Sequence, residues 1–128
     1  MINVTAFAFT GYPVTDIAKS RAFYEGLFGL KPTITSEHDG KFWIEYTLGD
    51  ATLALTTRSD RWKPASDGPA LACEVSNLDA TITELRAAGV HFVIDAADGA
   101  MCRFAVVLDP SGNSLALHQR NSPSPTLP

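Results

Sequence analysis

The sequence predicts an α+β fold of two similar βαβββ modules. Three observations predict it: an internal repeat, helix caps at matching places in both copies, and paired strands of alternating hydrophobicity after each helix. The repeat pairs PVTDIAKSRAFYEGLFGLKPTI with EVSNLDATITELRAAGVHFVI, each reading as strand, helix, strand. In the first copy an apolar run ends at Asp16 and in the second at Asn77, short polar side chains suited to accept from the orphan amides of a helix's first turn.

The first predicted helix places Ile17, Ser20, Tyr24, Leu27 and Phe28 on one stripe, and the second does the same with Leu78, Ile82 and Leu85. Gly29 and Gly89 follow where a left-handed residue ends a helix. Downstream, FWIEYTLGDATLALTT corresponds to CRFAVVLDPSGNSLALHQ, each a pair of strands joined by a turn, with TLAL against SLAL the closest match. Asp109-Pro110-Ser111-Gly112 carries type I turn residues, Leu48-Gly49-Asp50 turns the first copy, and His38 stands beside another turn at Asp39-Gly40. One domain over 1–120 is expected, with module one at 1–58, a Pro/Gly-rich charged linker at 59–69, module two at 70–120, and a disordered tail at 121–128.

A 45% hydrophobic chain of 128 residues can build a sizeable core without staples. The formal charge of −4, with ten scattered basic residues, argues against nucleic acid or an anionic membrane as partner. No apolar stretch approaches a membrane-spanning length and the N-terminus has no signal-peptide pattern. Cys73 and Cys102 lack a paired spacing pattern and are expected to stay reduced, which makes the cytoplasm the expected compartment. No nucleotide-binding, zinc-protease or nucleophile-elbow motif occurs.

The segments VTDIAKSRAFYEGLFGL, NLDATITELRAAGV and DPSGNSLAL together resemble the glyoxalase/bleomycin-resistance/dioxygenase (vicinal oxygen chelate) superfamily, over about Val4 to Gln119. The resemblance implies two βαβββ modules whose curved mixed sheets form a cleft, often completed by dimerisation, with a divalent metal held by four His or Glu side chains. At those four positions this chain has Phe9, Ala54, Ala70 and Ala116. None offers a lone pair to a metal, so no metal and no cofactor is expected.

The four positions set the strand phase, since successive side chains face opposite sides of a sheet. They place Thr52, Ala54, Thr56, Ser114, Ala116 and His118 in the cleft, together with Ala70, Ala72 and Glu74. On the strand FWIEYTL, the set Phe42, Ile44, Tyr46 and Leu48 is expected to cover the helix, leaving Trp43, Glu45 and Thr47 inside. The matching strand is expected to put Arg103, Ala105 and Val107 inside, with Cys102, Phe104, Val106 and Leu108 behind.

The candidate ligand-binding residues are therefore Phe9, Trp43, Glu45, Arg103 and His118, an apolar surface with a few polar groups. Each has a plainer reading. Glu45 and Arg103 pair as a salt bridge, His118 caps the rim, Trp43 belongs to the core, Glu74 lies at a wet edge, and Trp62 packs in the linker rather than acting as a lid. Two functions remain open. One is a metal-free protein that binds a small molecule, as a homodimer. The other is an enzyme of the lyase or isomerase type using Glu45 or His118 as base and Arg103 to stabilise negative charge, or holding a displaced metal on Glu45, Glu74 and His118.

Overall fold

A computed structural model gives the architecture and describes residues 1–121. The chain divides into two compact units between Pro64 and Ala65. Each has the expected βαβββ order, and each sheet has its first strand beside its last.

In the first unit, β1 (Thr10–Pro13) runs parallel to β4 (Ala51–Thr56), followed by antiparallel β3 (Lys41–Leu48) and β2 (Ile34–His38). The helix α1 (Ile17–Arg21) starts where Asp16 accepts the Lys19 N–H at 3.0 Å, as its short carboxylate allows. It widens into a π-helical stretch (Ala22–Leu27), seen in the Phe28 N–H donating to Phe23 O, and Gly29 follows with φ of 69°. The widening turns the buried face, so that Phe23 joins Ser20 and Tyr24 inside while Leu27 is only half-buried.

The core is the helix-facing row of each strand: Tyr12 on β1, Ile44 and Tyr46 on β3, Leu53 and Leu55 on β4. Register explains this, because Ile44 lies opposite Leu55 and Tyr46 opposite Leu53. Leu48 departs from expectation: at the hairpin tip it lies beyond the helix and is 76% exposed. At the other tight turn, Asp39 and Gly40 both have positive φ (52° and 75°), the requirement of a two-residue type I′ hairpin.

In the second unit, β5 (Leu71–Glu74) runs parallel to β8 (Ser114–Arg120), which pairs antiparallel with β7 (Cys102–Leu108), itself paired with a bulged β6 (Phe92–Asp98). The helix α2 (Leu78–Ala87) is capped by Asn77, which accepts the Ala80 N–H at 3.0 Å, and Gly89 follows with φ of 77°. Its expected stripe of Leu78, Ile82 and Leu85 is buried against the sheet. The turn after β7 is closed by Gly112 N–H donating to Asp109 O at 3.0 Å, while the buried Asp109 carboxylate accepts from the amides of Ser111 and Asn113.

The phase expected for β7 is overturned. Ala105 lies opposite Leu117 and Val107 opposite Leu115, and all four are 0% exposed beneath α2. Arg103 therefore shares the helix-facing side, and Phe104, Val106 and Leu108 turn to the other face with His118, Ala116 and Ser114. A strand apolar on both faces carries no alternation to fix its phase, and a slip of one residue exchanges the faces.

The stretch 59–69 divides between the two units. Trp62 packs on the first, whereas in the second the Ala65 N–H donates to Asn113 Oδ1 (3.3 Å) and Ala65 O accepts the Ser114 N–H (2.9 Å). Of the predicted tail, Asn121 is held, its amide donating to Met101 O at 3.0 Å, and the rest lies outside the described residues. Cys73 and Cys102 are both free thiols.

Candidate functional site

The face of each sheet turned away from its helix is where functional side chains can be displayed. On the first sheet, register puts Trp43, Glu45 and Thr47 of β3 opposite Thr56, Ala54 and Thr52 of β4, as expected. Gly11 joins this face beside Ala54, and Phe9, two residues earlier, lies on the same side. Phe9 and Trp43 meet edge to face with centroids 5.0 Å apart. The Trp43 indole N–H donates to Glu45 Oε2 at 2.8 Å, which fixes both side chains on one strand two residues apart.

Trp62 completes the group. A Cβ at Gly11 would stand 3.1 Å from Trp62 Cζ3, tighter than ordinary contact, and 3.4 Å from Phe9 Cε2, so the missing side chain is what lets the Trp62 ring lie down on the strand. Phe9 and Trp62 nonetheless remain 43% and 47% exposed. The chain's two tryptophans thus share one face. At its margin, Arg58 Nη2 donates to Ser36 Oγ at 2.8 Å, and Ser36 lies opposite Trp43. Sequence reasoning missed Gly11 and Arg58 and ranked Trp62 as linker packing. The one available signal for Trp62 was the cost of exposing a large aromatic in a polar segment.

The corresponding face of the second sheet is different in kind. His118 lies opposite Phe104 on β7 and beside Glu74 on β5. Its Nδ1–H donates to Glu74 Oε1 at 2.5 Å, and Glu74 Oε2 accepts the Arg120 amide at 2.8 Å. The His118 hydrogen bond, with that amide, holds the Glu74 carboxyl below its ordinary range. With Nδ1 committed to the carboxylate, Nε2 of a neutral His118 ring is an acceptor. Glu74 lies exposed on the edge strand β5, as expected, and is bonded there to His118 and the Arg120 amide.

Arg103 stands apart from both groups. Its Nη2 donates to Asp79 Oδ1 at 2.9 Å, at the start of α2, and its Nε to Asp98 Oδ1 at 2.6 Å on β6. The expected pairing with Glu45 is replaced by these two aspartates, because the true phase of β7 carries the guanidinium toward the helix. The hydrogen bonds from Arg103 depress the Asp79 carboxyl and those aspartates in turn raise Arg103 itself. Among the described residues no three His, Cys, Asp or Glu side chains gather closely enough to hold a metal ion. His38 pairs only with its neighbour Asp39, both well exposed.

The profile of the Glyoxalase/Bleomycin resistance protein/Dioxygenase superfamily matches residues 6–117. Among solved structures, the chain is similar to TnmS3, an antibiotic binding protein from Streptomyces sp. CB03234, with TM-score 0.77 and 21% identity over 94% of this chain and 100% of that one. It is similar to a glyoxalase/bleomycin resistance protein of the same organism, with TM-score 0.71 and 23% identity over 87% and 97%. A glyoxalase family protein from Enterococcus faecalis gives TM-score 0.67 and 18% identity over 89% and 97%. No curated protein sequence matches the chain.

Proposed function

This chain belongs to the glyoxalase/bleomycin resistance protein/dioxygenase superfamily, and on that premise we propose that it binds a small molecule against the open face of its first sheet, without a metal at the four customary ligand positions. The observation that carries this reading is the exposure of Phe9 and Trp62 on a face they share with Trp43. Aromatic rings left in water on a sheet face lose the burial that would otherwise stabilise them, and an apolar ligand restores it. A similar fold in an antibiotic-binding protein supports the same reading. Phe9, Ala54, Ala70 and Ala116 supply no metal donor.

The binding protein works as a homodimer in the cytoplasm. Ile2, Val4 and Phe7 are exposed ahead of β1, and apolar surface of that kind is covered by association. Arg103, tied to Asp79 and Asp98, stabilises the second unit instead of receiving the ligand.

The test is a thermal-shift screen of planar antibiotics and aromatic metabolites, run on protein purified without chelator and assayed for zinc, nickel and iron. The expected outcome is a stabilising compound whose effect is lost in Trp43→Ala, and no stoichiometric metal. One tightly bound metal per chain, or a hit indifferent to Trp43→Ala, overturns the reading.

A second reading rests on the Glu74–His118 pair. A histidine oriented by a carboxylate through Nδ1 presents Nε2 as a general base, as an enzyme of the lyase or isomerase type requires. In that case a compound that the second unit binds is recovered chemically changed, and His118→Ala stops conversion while binding persists. A hit recovered unchanged leaves the binding role alone.

A further inference from the structure

The open face of the first sheet carries a charge as well as rings, and its sign selects the ligand. Glu45 lies between Ala54 of β4 and Ile34 of β2, half-buried, in the strand that also bears Trp43. One carboxylate oxygen accepts the Trp43 indole N–H; no ion pair to Glu45 occurs among the described residues. Among the described residues Glu25, Asp79, Asp95 and Asp98 each pair with a guanidinium of their own unit, and Glu45 does not. A carboxylate can accept about four hydrogen bonds, so Glu45 keeps most of its capacity for a group that the chain itself does not provide.

We propose that this face recognises a flat aromatic molecule bearing a protonated amine, the ring lying among Phe9, Trp43 and Trp62 and the ammonium group donating to Glu45. The proposal rests on the reading of this face as the binding site and adds the chemical class of its ligand. Two physical effects act together there. The π faces of the rings attract a cation, and a carboxylate accepts a charge-assisted hydrogen bond from it. The Trp43 N–H holds Glu45 in place beforehand, so that less freedom is lost when the ligand arrives. Arg58 is engaged with Ser36 at the margin and does not form an ion pair with Glu45. An anionic ligand on the Trp43 ring would lie beside the Glu45 carboxylate, which works against it.

Three probes of one ring system separate the possibilities: tryptamine (cationic), tryptophol (neutral) and indole-3-acetate (anionic). Because both tryptophans of the chain lie on this face, the two indole N–H resonances of the ¹⁵N-labelled protein report occupancy directly. Both resonances should move with tryptamine at the lowest concentration, with tryptophol about tenfold weaker and indole-3-acetate weaker again, as expected for one charge-assisted hydrogen bond. Glu45→Gln keeps an oxygen for the Trp43 N–H and should bring tryptamine to the level of tryptophol, with the melting temperature showing that the fold is retained. Equal binding of all three, a preference for indole-3-acetate drawn to Arg58, or an undiminished preference for tryptamine in Glu45→Gln overturns the charge assignment and leaves the site standing. If no probe moves either resonance at millimolar concentration, the site itself fails, and the assignment with it.

Discussion

The two halves keep one face in common and differ on the other. Beneath the helices the rows correspond: Ile44 and Ala105, Tyr46 and Val107, Leu53 and Leu115, Leu55 and Leu117, all buried. On the opposite faces Ala54 and Ala116 still correspond, but their neighbours differ: Trp43 stands where the second half has Phe104, Glu45 where it has Val106, Gly11 where it has Ala72, and Thr56 where it has His118. The helix-facing rows are constrained by packing. The outward rows are less uniformly packed, with Ala54, Thr56 and Ser114 buried but Thr47 and Glu74 exposed, and leave more room for the halves to diverge.

The largest expected effect tests the shared face. Leu55→Ala and Leu117→Ala each remove a fully buried side chain and should each cost about 2–5 kcal/mol in denaturant unfolding. If one proves costly and the other harmless, the two cores are not equivalent.

A smaller effect comes from acid, and it runs the same way in both halves. Glu74 and Asp79, both in the second half, titrate below their ordinary values because of the bonds from His118 and Arg103. A carboxylate with a lowered folded pKa contributes stability above its unfolded value, and that contribution is lost as pH falls through the folded value. Stability of the second half should therefore drop below the ordinary values of 4.5 and 3.8 for these groups, and Arg103→Met should flatten the Asp79 part of the drop. In the first half Glu25 behaves alike for a different reason. Burial would raise its pKa, and the bonds from Arg21 and Tyr46 together bring it below the ordinary value. An acid transition indifferent to Arg103→Met would remove Asp79 from this account.

The smallest effect concerns the open faces alone. Gly11→Ala places a methyl 3.1 Å from the Trp62 ring and should shift tryptophan emission and weaken ligand binding, with stability changing by less than about 1 kcal/mol. Ala72→Val, at the equivalent place in the second half, should leave the emission unchanged. Identical spectra for both variants would mean that Trp62 does not rest on Gly11 in solution.

The sequence made the fold legible where local chemistry is decisive. Asp16 and Asn77 cap as their side chains dictate, Gly29 and Gly89 take positive φ, and the phase of β3 follows from strong alternation in FWIEYTL. Phe9, Trp43 and Glu45 are accordingly found together. It failed for β7, where matching CRFAVVL to FWIEYTL residue by residue ignored the turns. Two residues, Gly49 and Asp50, join β3 to β4, whereas Asp109 to Asn113 form a longer connection between β7 and β8. Matching outward from SLAL through the pair Leu108 and Ser114 would have set Arg103 under the helix. Trp62 was hidden because its partner is a glycine, whose significance lies in an absent side chain.

The last strand of each half is inserted between earlier ones: β4 between β1 and β3, β8 between β5 and β7. Thr10 waits for Leu53 and Leu71 for Leu115, partners roughly forty residues downstream, which makes each half a structure of high contact order. As the chain leaves the ribosome, the hairpin of β2 and β3 can form early, but β1 has no neighbour until β4 has emerged. Each half thus folds as a unit once its final strand is synthesised, and the first can finish while the second is still being made.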